Sequence, residues 1–198
     1  MKDLIGIVDY GVSGNIFSVR RALEEAGADV FIISKPSDFH RASKLVIPGV
    51  GSFKDAMKHL SENDLIKPIQ SFENPILGIC LGMHILATVG YEYGRSEGLG
   101  LIDAEVVALR TDSVTPHLGF QRIDVVKSNS LLTNCEGREF YFMHSFEIVK
   151  TPNVASTSEY SNHKFISSIH DGNVYGVQFH PEKSRQAGID LFKNFINI

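Results

Sequence analysis

Cys80, His180 and Glu182 are the residues of this sequence whose types and spacing best suit the breaking of an acyl bond. A thiolate attacks a carbonyl carbon, an imidazole moves the proton, and a carboxylate holds the imidazole in the tautomer the reaction needs. Around the cysteine, Ile76-Leu77-Gly78-Ile79-Cys80-Leu81-Gly82-Met83-His84 runs apolar β-formers up to the sulfur, with a glycine two residues to either side. This is the layout of a nucleophile elbow. A buried strand ends, the chain turns sharply, helix formers resume at Ile85-Leu86-Ala87, and the glycines remove Cβ atoms that would collide in the turn. At the start of that helix, unpaired N–H groups and the positive end of the helix dipole favour thiolate over thiol. Read from composition alone, Cys80 is a small core residue, because free cysteine is among the most buried types; the glycine pair and the partners further along reverse that reading.

The base and its orienting group stand together in His180-Pro181-Glu182. On an extended chain, residues two apart project to one side, and Pro181 stiffens the backbone between them. Glu182 can therefore hold the imidazole of His180. His144, after Phe140-Tyr141-Phe142-Met143, is the strongest rival base but has no acidic residue two positions on. The glycine-rich Pro48-Gly49-Val50-Gly51 reads either as a turn feeding the next helix or as part of an oxyanion hole, with the N–H of Leu81 as the second donor.

These residues need a scaffold, and the sequence describes one. Leu4-Ile5-Gly6-Ile7-Val8 is a continuous apolar run suited to a parallel strand buried on both faces. Ile16, Val19, Leu23 and Ala26 recur at helical spacing from about Asn15 to Ala26, with Gly27 as the stop. Strands follow at Val30 to Ile33 and Leu45 to Ile47, and a helix from Ser52 to Leu60. The rhythm is that of a doubly wound α/β sheet, whose ligands bind beyond the carboxyl ends of the strands, where Pro48–Gly51 and Cys80 both fall. From about Leu99 the runs shorten: Ile102 to Leu109, Gln121 to Val126, Phe140 to Phe142 and Glu147 to Val149. A hairpin follows, Phe165 to Ile169 and Val174 to Phe179 about Asp171-Gly172-Asn173. These imply a second, largely antiparallel layer. A closing helix runs from Ser184 or Arg185 to Ile196.

Length and composition bound the rest. The 198 residues, 43% hydrophobic and 21% charged, suit one soluble domain spanning 1–198 with one substantial core. A net charge of −4 with no basic cluster argues against nucleic acid or an anionic membrane as partner. No apolar run approaches a membrane span, and Met1-Lys2-Asp3-Leu4 leads directly into a strand, so a cytoplasmic location is expected. The two cysteines, Cys80 and Cys135, form neither a disulfide framework nor a zinc spacing; no metal and no cofactor are expected.

Residue chemistry thus reaches a cysteine hydrolase acting on an acyl or amide carbon, without naming the substrate. Pro48-Gly49-Val50-Gly51, Gly78-Ile79-Cys80-Leu81-Gly82-Met83, Tyr141-Phe142-Met143-His144-Ser145 and Gly176-Val177-Gln178-Phe179-His180-Pro181-Glu182-Lys183-Ser184 together resemble the class I, triad-type glutamine amidotransferases. Met83, Pro116-His117, the aromatic-His144 motif and Lys183 are most similar to the glutaminase subunits of imidazole glycerol phosphate synthases.

The resemblance implies a three-layer α/β sandwich with a central mostly parallel sheet, helices on both faces and a smaller antiparallel sheet. It implies that Cys80 attacks the side-chain amide of L-glutamine, that His180 protonates the departing ammonia and then activates water, and that Glu182 orients His180. Val50 and Leu81 would supply the oxyanion N–H groups. Gly49, Gly51, His84, Glu92, Ser145 and Phe146 would surround the substrate, with Glu92 on its α-ammonium. The ammonia would pass through a protected channel to a TIM-barrel synthase (cyclase) subunit in a heterodimer, for imidazole glycerol phosphate and AICAR formation in histidine biosynthesis. Asn15, Pro116, His117, Gln121 and Lys183 would lie at or near that interface, and the isolated chain would be a poor glutaminase.

Three departures bear on this. His84 stands where the family has glutamine, Leu118-Gly119-Phe120-Gln121 where it has Met-Gly-Trp-Asn, and the first loop, Asp9 to Asn15, is one residue longer. They leave open a paralogous glutaminase that supplies ammonia for amidation of a surface sugar, and a non-catalytic regulatory subunit.

Overall fold

The computed structural model describes residues 4–11 and 15–198. The opening Met1-Lys2-Asp3 and the middle of the lengthened first loop, Val12-Ser13-Gly14, lie outside the described residues.

Among the described residues, eight strands form the main sheet. From edge to edge they are Asp29–Ile33, Leu4–Val8, Lys44–Ile47, Ile76–Ile79, Val174–Val177, His163–Asp171, Val154–Tyr160 and Asp124–Val125. The first five are parallel and the last three antiparallel. Successive side chains leave a strand on opposite faces, so each continuous apolar run feeds two cores. On one face Ile5, Ile7, Val46, Leu77 and Ile79 pack with Val19 and Leu23 of helix Ile16–Glu25 and with Leu191, Phe192 and Phe195 of helix Arg185–Ile196. On the other, Val8, Leu45, Ile47 and Ile76 pack with Phe53, Ala56 and Leu60 of helix Phe53–Glu62 and with the smaller sheet. Among the described residues, no helix is long and apolar enough to cross a membrane.

The structure departs from the sequence reading in the second layer. The hairpin at Asp171-Gly172-Asn173 belongs to the central sheet, because Val174–Val177 pairs in parallel with Ile76–Ile79 while its partner strand continues the sheet antiparallel. The smaller four-stranded sheet, Phe146–Val149, Ile102–Ala108, Ala87–Gly90 and Ser96–Glu97, is mixed. Its chain doubles back through Ser96–Glu97, so Ile102–Ala108 starts out parallel to Ala87–Gly90. The run expected over Gln121 to Val126 is divided at Ile123, a fully buried residue where the chain passes between sheets. Before it, His117–Arg122 pairs with Glu139–His144; after it, Asp124–Val125 edges the main sheet.

One consequence of strand order matters most. Leu4–Val8, Lys44–Ile47, Ile76–Ile79 and Val174–Val177 are consecutive and parallel, so the loops after them emerge on a single edge. Ile79 lies opposite Val177, and Ile47 opposite Gly78.

Candidate active site

That edge collects the chemistry. The N–H of Cys80 donates to the Val177 carbonyl at 2.8 Å, carrying the sheet one residue past its end, and Cys80 then turns with φ 52° and ψ −107°. For a residue with a Cβ this is a strained backbone, costing about 1–3 kcal/mol and retained only where its surroundings enforce it. The enforcement is visible in the flanking glycines. A Cβ on Gly82 would stand 1.8 Å from the Ile47 carbonyl oxygen, and one on Gly78 would stand 2.6 Å from that of Gly82. The helix that follows, Leu81–Leu86, is therefore pressed against the neighbouring strand end with Cys80 at its N-cap. Its first N–H groups, that of Leu81 included, have no carbonyl within the helix to receive them.

His180 follows Val177 by three residues on the adjacent strand. Its backbone is clamped, since its N–H donates to the Tyr141 carbonyl at 2.8 Å and its carbonyl accepts from the Ser184 hydroxyl at 2.6 Å. Nδ1 of the ring donates to Oε1 of Glu182 at 2.7 Å. Nε2 is buried with no hydrogen-bond partner, and the side chain interacts with Cys80. Burial by itself pushes the imidazole pKa down, but the Cys80 sulfur and the Glu182 carboxylate outweigh it and hold His180 above its ordinary value. Burial likewise pushes Glu182 up, and hydrogen bonds from His180 and Asn15 bring it below the ordinary carboxylate range. Both side chains are fully enclosed.

The geometry linking His180 to Glu182 differs from the extended arrangement expected. Pro181–Lys183 forms a 3-10 turn, and His180 alone stays extended, so the carboxylate reaches the ring by folding back. Proline is well placed at the first position of such a turn, where no N–H is needed.

Asn15 requires a correction. Expected near a partner surface, it is buried, and its Nδ2 donates to Oε1 of Glu182 at 2.9 Å. His117 requires another. It is fully buried, stacked between Tyr160 and Phe142 with ring centroids 4.1 and 5.3 Å away, and its Nδ1 donates to Nε2 of His144 at 3.1 Å. His144 in turn donates from Nδ1 to the Phe146 carbonyl at 2.8 Å. With both ring nitrogens engaged, and with burial holding its pKa down to about 3, His144 is excluded as the base. Pro116, Gln121 and Lys183 remain at least partly exposed.

Above the sulfur lies a cavity of about 350 Å³. Its lining includes Val50, Gly51, Leu81, His84, Glu92, Ser145 and Phe146 from the sequence reading, and adds Tyr93, Pro116, Met143 and His144. Gly49 stands outside it. A Cβ there would lie 2.8 Å from the Tyr10 hydroxyl, which itself donates to the Pro48 carbonyl at 2.8 Å and props the loop. Glu92 accepts from the Phe53 N–H at 2.7 Å, at the start of helix Phe53–Glu62. Its pKa is raised, by burial first and by Asp55 to a lesser extent. Tyr93 carries no motif that would have marked it in the sequence; Met143 lay in plain view between the aromatic run and His144.

Cys135 shows how differently an unused thiol sits. It is enclosed, and burial raises its pKa to about 11. Among the described residues no cluster of His, Cys, Asp and Glu is arranged to hold a metal ion. The arrangement at Cys80 can attack an amide carbon, deliver a proton to the leaving nitrogen and stabilise the resulting oxyanion from the N–H groups at a helix start.

Comparison with known proteins agrees with this chemistry. Residues 7–198 match the family Glutamine amidotransferase class-I. The imidazole glycerol phosphate synthase subunit HisH 1 of Campylobacter jejuni (strain RM1221) is 40% identical, the match covering 98% of this chain and 100% of that protein. The protein of the same name from Vibrio vulnificus (strain YJ016) is 42% identical over 97% of both chains. Among solved structures, PurLQS from Thermotoga maritima superposes with a TM-score of 0.81 over 100% of this chain and 99% of its own, a likeness of fold at 20% identity.

Proposed function

The chain belongs to the class I glutamine amidotransferase family, and from that premise we propose that it is the glutaminase subunit of an imidazole glycerol phosphate synthase in histidine biosynthesis. It hydrolyses L-glutamine to glutamate and ammonia and hands the ammonia to a TIM-barrel synthase (cyclase) subunit. The observation that carries the reading is the single imidazole of His180, held at Nδ1 by Glu182, with Nε2 left free and the side chain in interaction with Cys80.

Glutamine enters the cavity with its α-ammonium towards Glu92 and its side-chain amide over the sulfur. Cys80 attacks the amide carbon, and the negative oxygen is received by the N–H groups of Leu81 and Val50. His180 gives its Nε2 proton to the departing nitrogen, releasing ammonia and leaving a thioester. The same nitrogen then draws a proton from water, which attacks the thioester and frees glutamate and the Cys80 sulfur. Glu182 keeps its charge throughout and stabilises the imidazolium, steadied by Asn15.

A partner at the cavity mouth is supported by the apolar surface there. Tyr93, which lines the cavity, is 84% exposed, and Leu118 and Phe120, close in sequence to the cavity-lining Pro116, are also exposed. Exposed apolar side chains gathered beside a site mark a docking surface.

The test uses the chain in complex with its barrel subunit. Cys80→Ala abolishes glutamine-dependent synthesis while synthesis from added ammonia persists. Loss of both activities would assign Cys80 a structural role.

A further inference from the structure

Two buried side chains beside the sulfur have no part in that mechanism. Gln178, fully enclosed two residues before His180, directs Nε2 at Sγ of Cys80 from 3.7 Å. His84, buried one turn into the elbow helix, contacts Oε1 of the same Gln178 through its own Nε2 at 2.7 Å. An amide oxygen only accepts, so the His84 nitrogen that meets it must carry the proton. With His84 in that tautomer, its hydrogen bond holds the amide in the orientation that turns N–H groups towards the sulfur. The reverse orientation would set a carbonyl oxygen against it.

From this relay we propose that His84 is a positioning residue for the nucleophile, acting through Gln178 to favour the thiolate of Cys80; the proposal rests on the glutaminase reading above. The direction of the effect follows from what else surrounds the sulfur. The Met143 carbonyl oxygen, 3.7 Å away, accepts a hydrogen bond from the thiol and repels the thiolate. The amide of Gln178 does the opposite, since a donor has more to gain from the charged form. His180, backed by Glu182, is a titratable side chain in direct interaction with the sulfur, and the cavity wall adds Glu92, Tyr93 and His144, the last itself influenced by His84, His117 and His180. His84 stays neutral in this position, held by burial at a pKa of about 4 despite its bond to Gln178, so it supplies a dipole and no competing charge.

The experiment is the pH dependence of Cys80 alkylation by iodoacetamide in the complex with the barrel subunit, read by mass spectrometry of the Cys80 peptide. His84→Ala and Gln178→Leu each move the midpoint of the profile upward by about one unit, roughly tenfold slower alkylation below the midpoint. The double variant moves it no further than either alone, because the two residues act in series. His84→Gln, which keeps a donor, restores most of the rate, and far-UV circular dichroism of all four variants matches the parent. A profile unmoved in His84→Ala, with the effect appearing only in KM for glutamine, overturns the proposal and makes His84 a substrate contact. Additive shifts in the double variant overturn it as well. Failure of the glutaminase reading would look different: Cys80 would resist alkylation in the parent itself, or Cys80→Ala would leave glutamine hydrolysis intact.

Discussion

Asn15 and Glu182, which stand 167 residues apart in the chain, are joined by a 2.9 Å hydrogen bond onto the carboxylate oxygen that also receives the His180 ring. One oxygen with two donors is held in position from both sides. The other, Oε2, has no partner and nowhere to turn. The carboxylate is thus fixed by one residue just ahead of the first helix and one at the end of the last parallel strand.

Removing that tie should slow the chemistry without weakening substrate capture. A hydrogen bond to a buried charge contributes about 1.5–3 kcal/mol, so Asn15→Leu is expected to lower kcat for glutamine hydrolysis by roughly ten- to a hundredfold with KM little changed. Steady-state kinetics of the complex measure this. A rise in KM at constant kcat would mean that Asn15 serves the substrate and leaves the triad unaffected.

The buried pair also gives stability a pH dependence of known sign. His180 is raised in the folded protein, so its contribution is complete below its ordinary value of 6.5 and is lost as pH climbs through the raised one. Glu182 is lowered, so its contribution is present above its ordinary 4.5 and is lost as pH falls through the lowered one. The two overlap fully between 4.5 and 6.5. Glu182→Gln should therefore cost most in that window, on the order of 3 kcal/mol, and the Tm gap from the parent should narrow on either side. Thermal unfolding from about pH 4 to about pH 10 would reveal a flat gap if the pair were not coupled to folding.

Strain at the elbow predicts a trade of stability against activity. At φ 52° and ψ −107°, glycine is at ease and alanine is not. Cys80→Gly is expected to be more stable than Cys80→Ala by about 1–2 kcal/mol, some 2–8 °C in Tm for a chain of this size, with both inactive on glutamine. Equal melting temperatures would show that the turn carries no strain.

Leu118 tests the docking surface. It is 55% exposed, next to the buried His117 on its strand and opposite the half-buried Met143, so a charge at that position should leave the fold intact. Leu118→Asp is expected to weaken association with the barrel subunit by roughly tenfold or more, measured by titration calorimetry, while the variant's melting temperature stays within a degree or two, about the effect of an ordinary surface change. Unaltered affinity would move the interface elsewhere.

What the sequence determined by itself was everything carried by neighbours along the chain. The elbow was legible because Gly78, Cys80 and Gly82 fall within one turn and their steric reason is local. His180 and Glu182 were legible because two positions separate them, although the 3-10 turn that joins them was not. The parallel strands announced themselves as unbroken apolar runs, since burial on both faces leaves no polar alternation. Only the tertiary structure decided which side chains meet across strands. Asn15 reaches Glu182, Gln178 reaches both His84 and the sulfur, and His117 lies stacked between Tyr160 and Phe142 because strand order and register put them there. Those contacts depend on which strand lies beside which and on where each one stops, and no local property of Asn15 or His117 encodes the distance to a partner contributed by another layer of the fold.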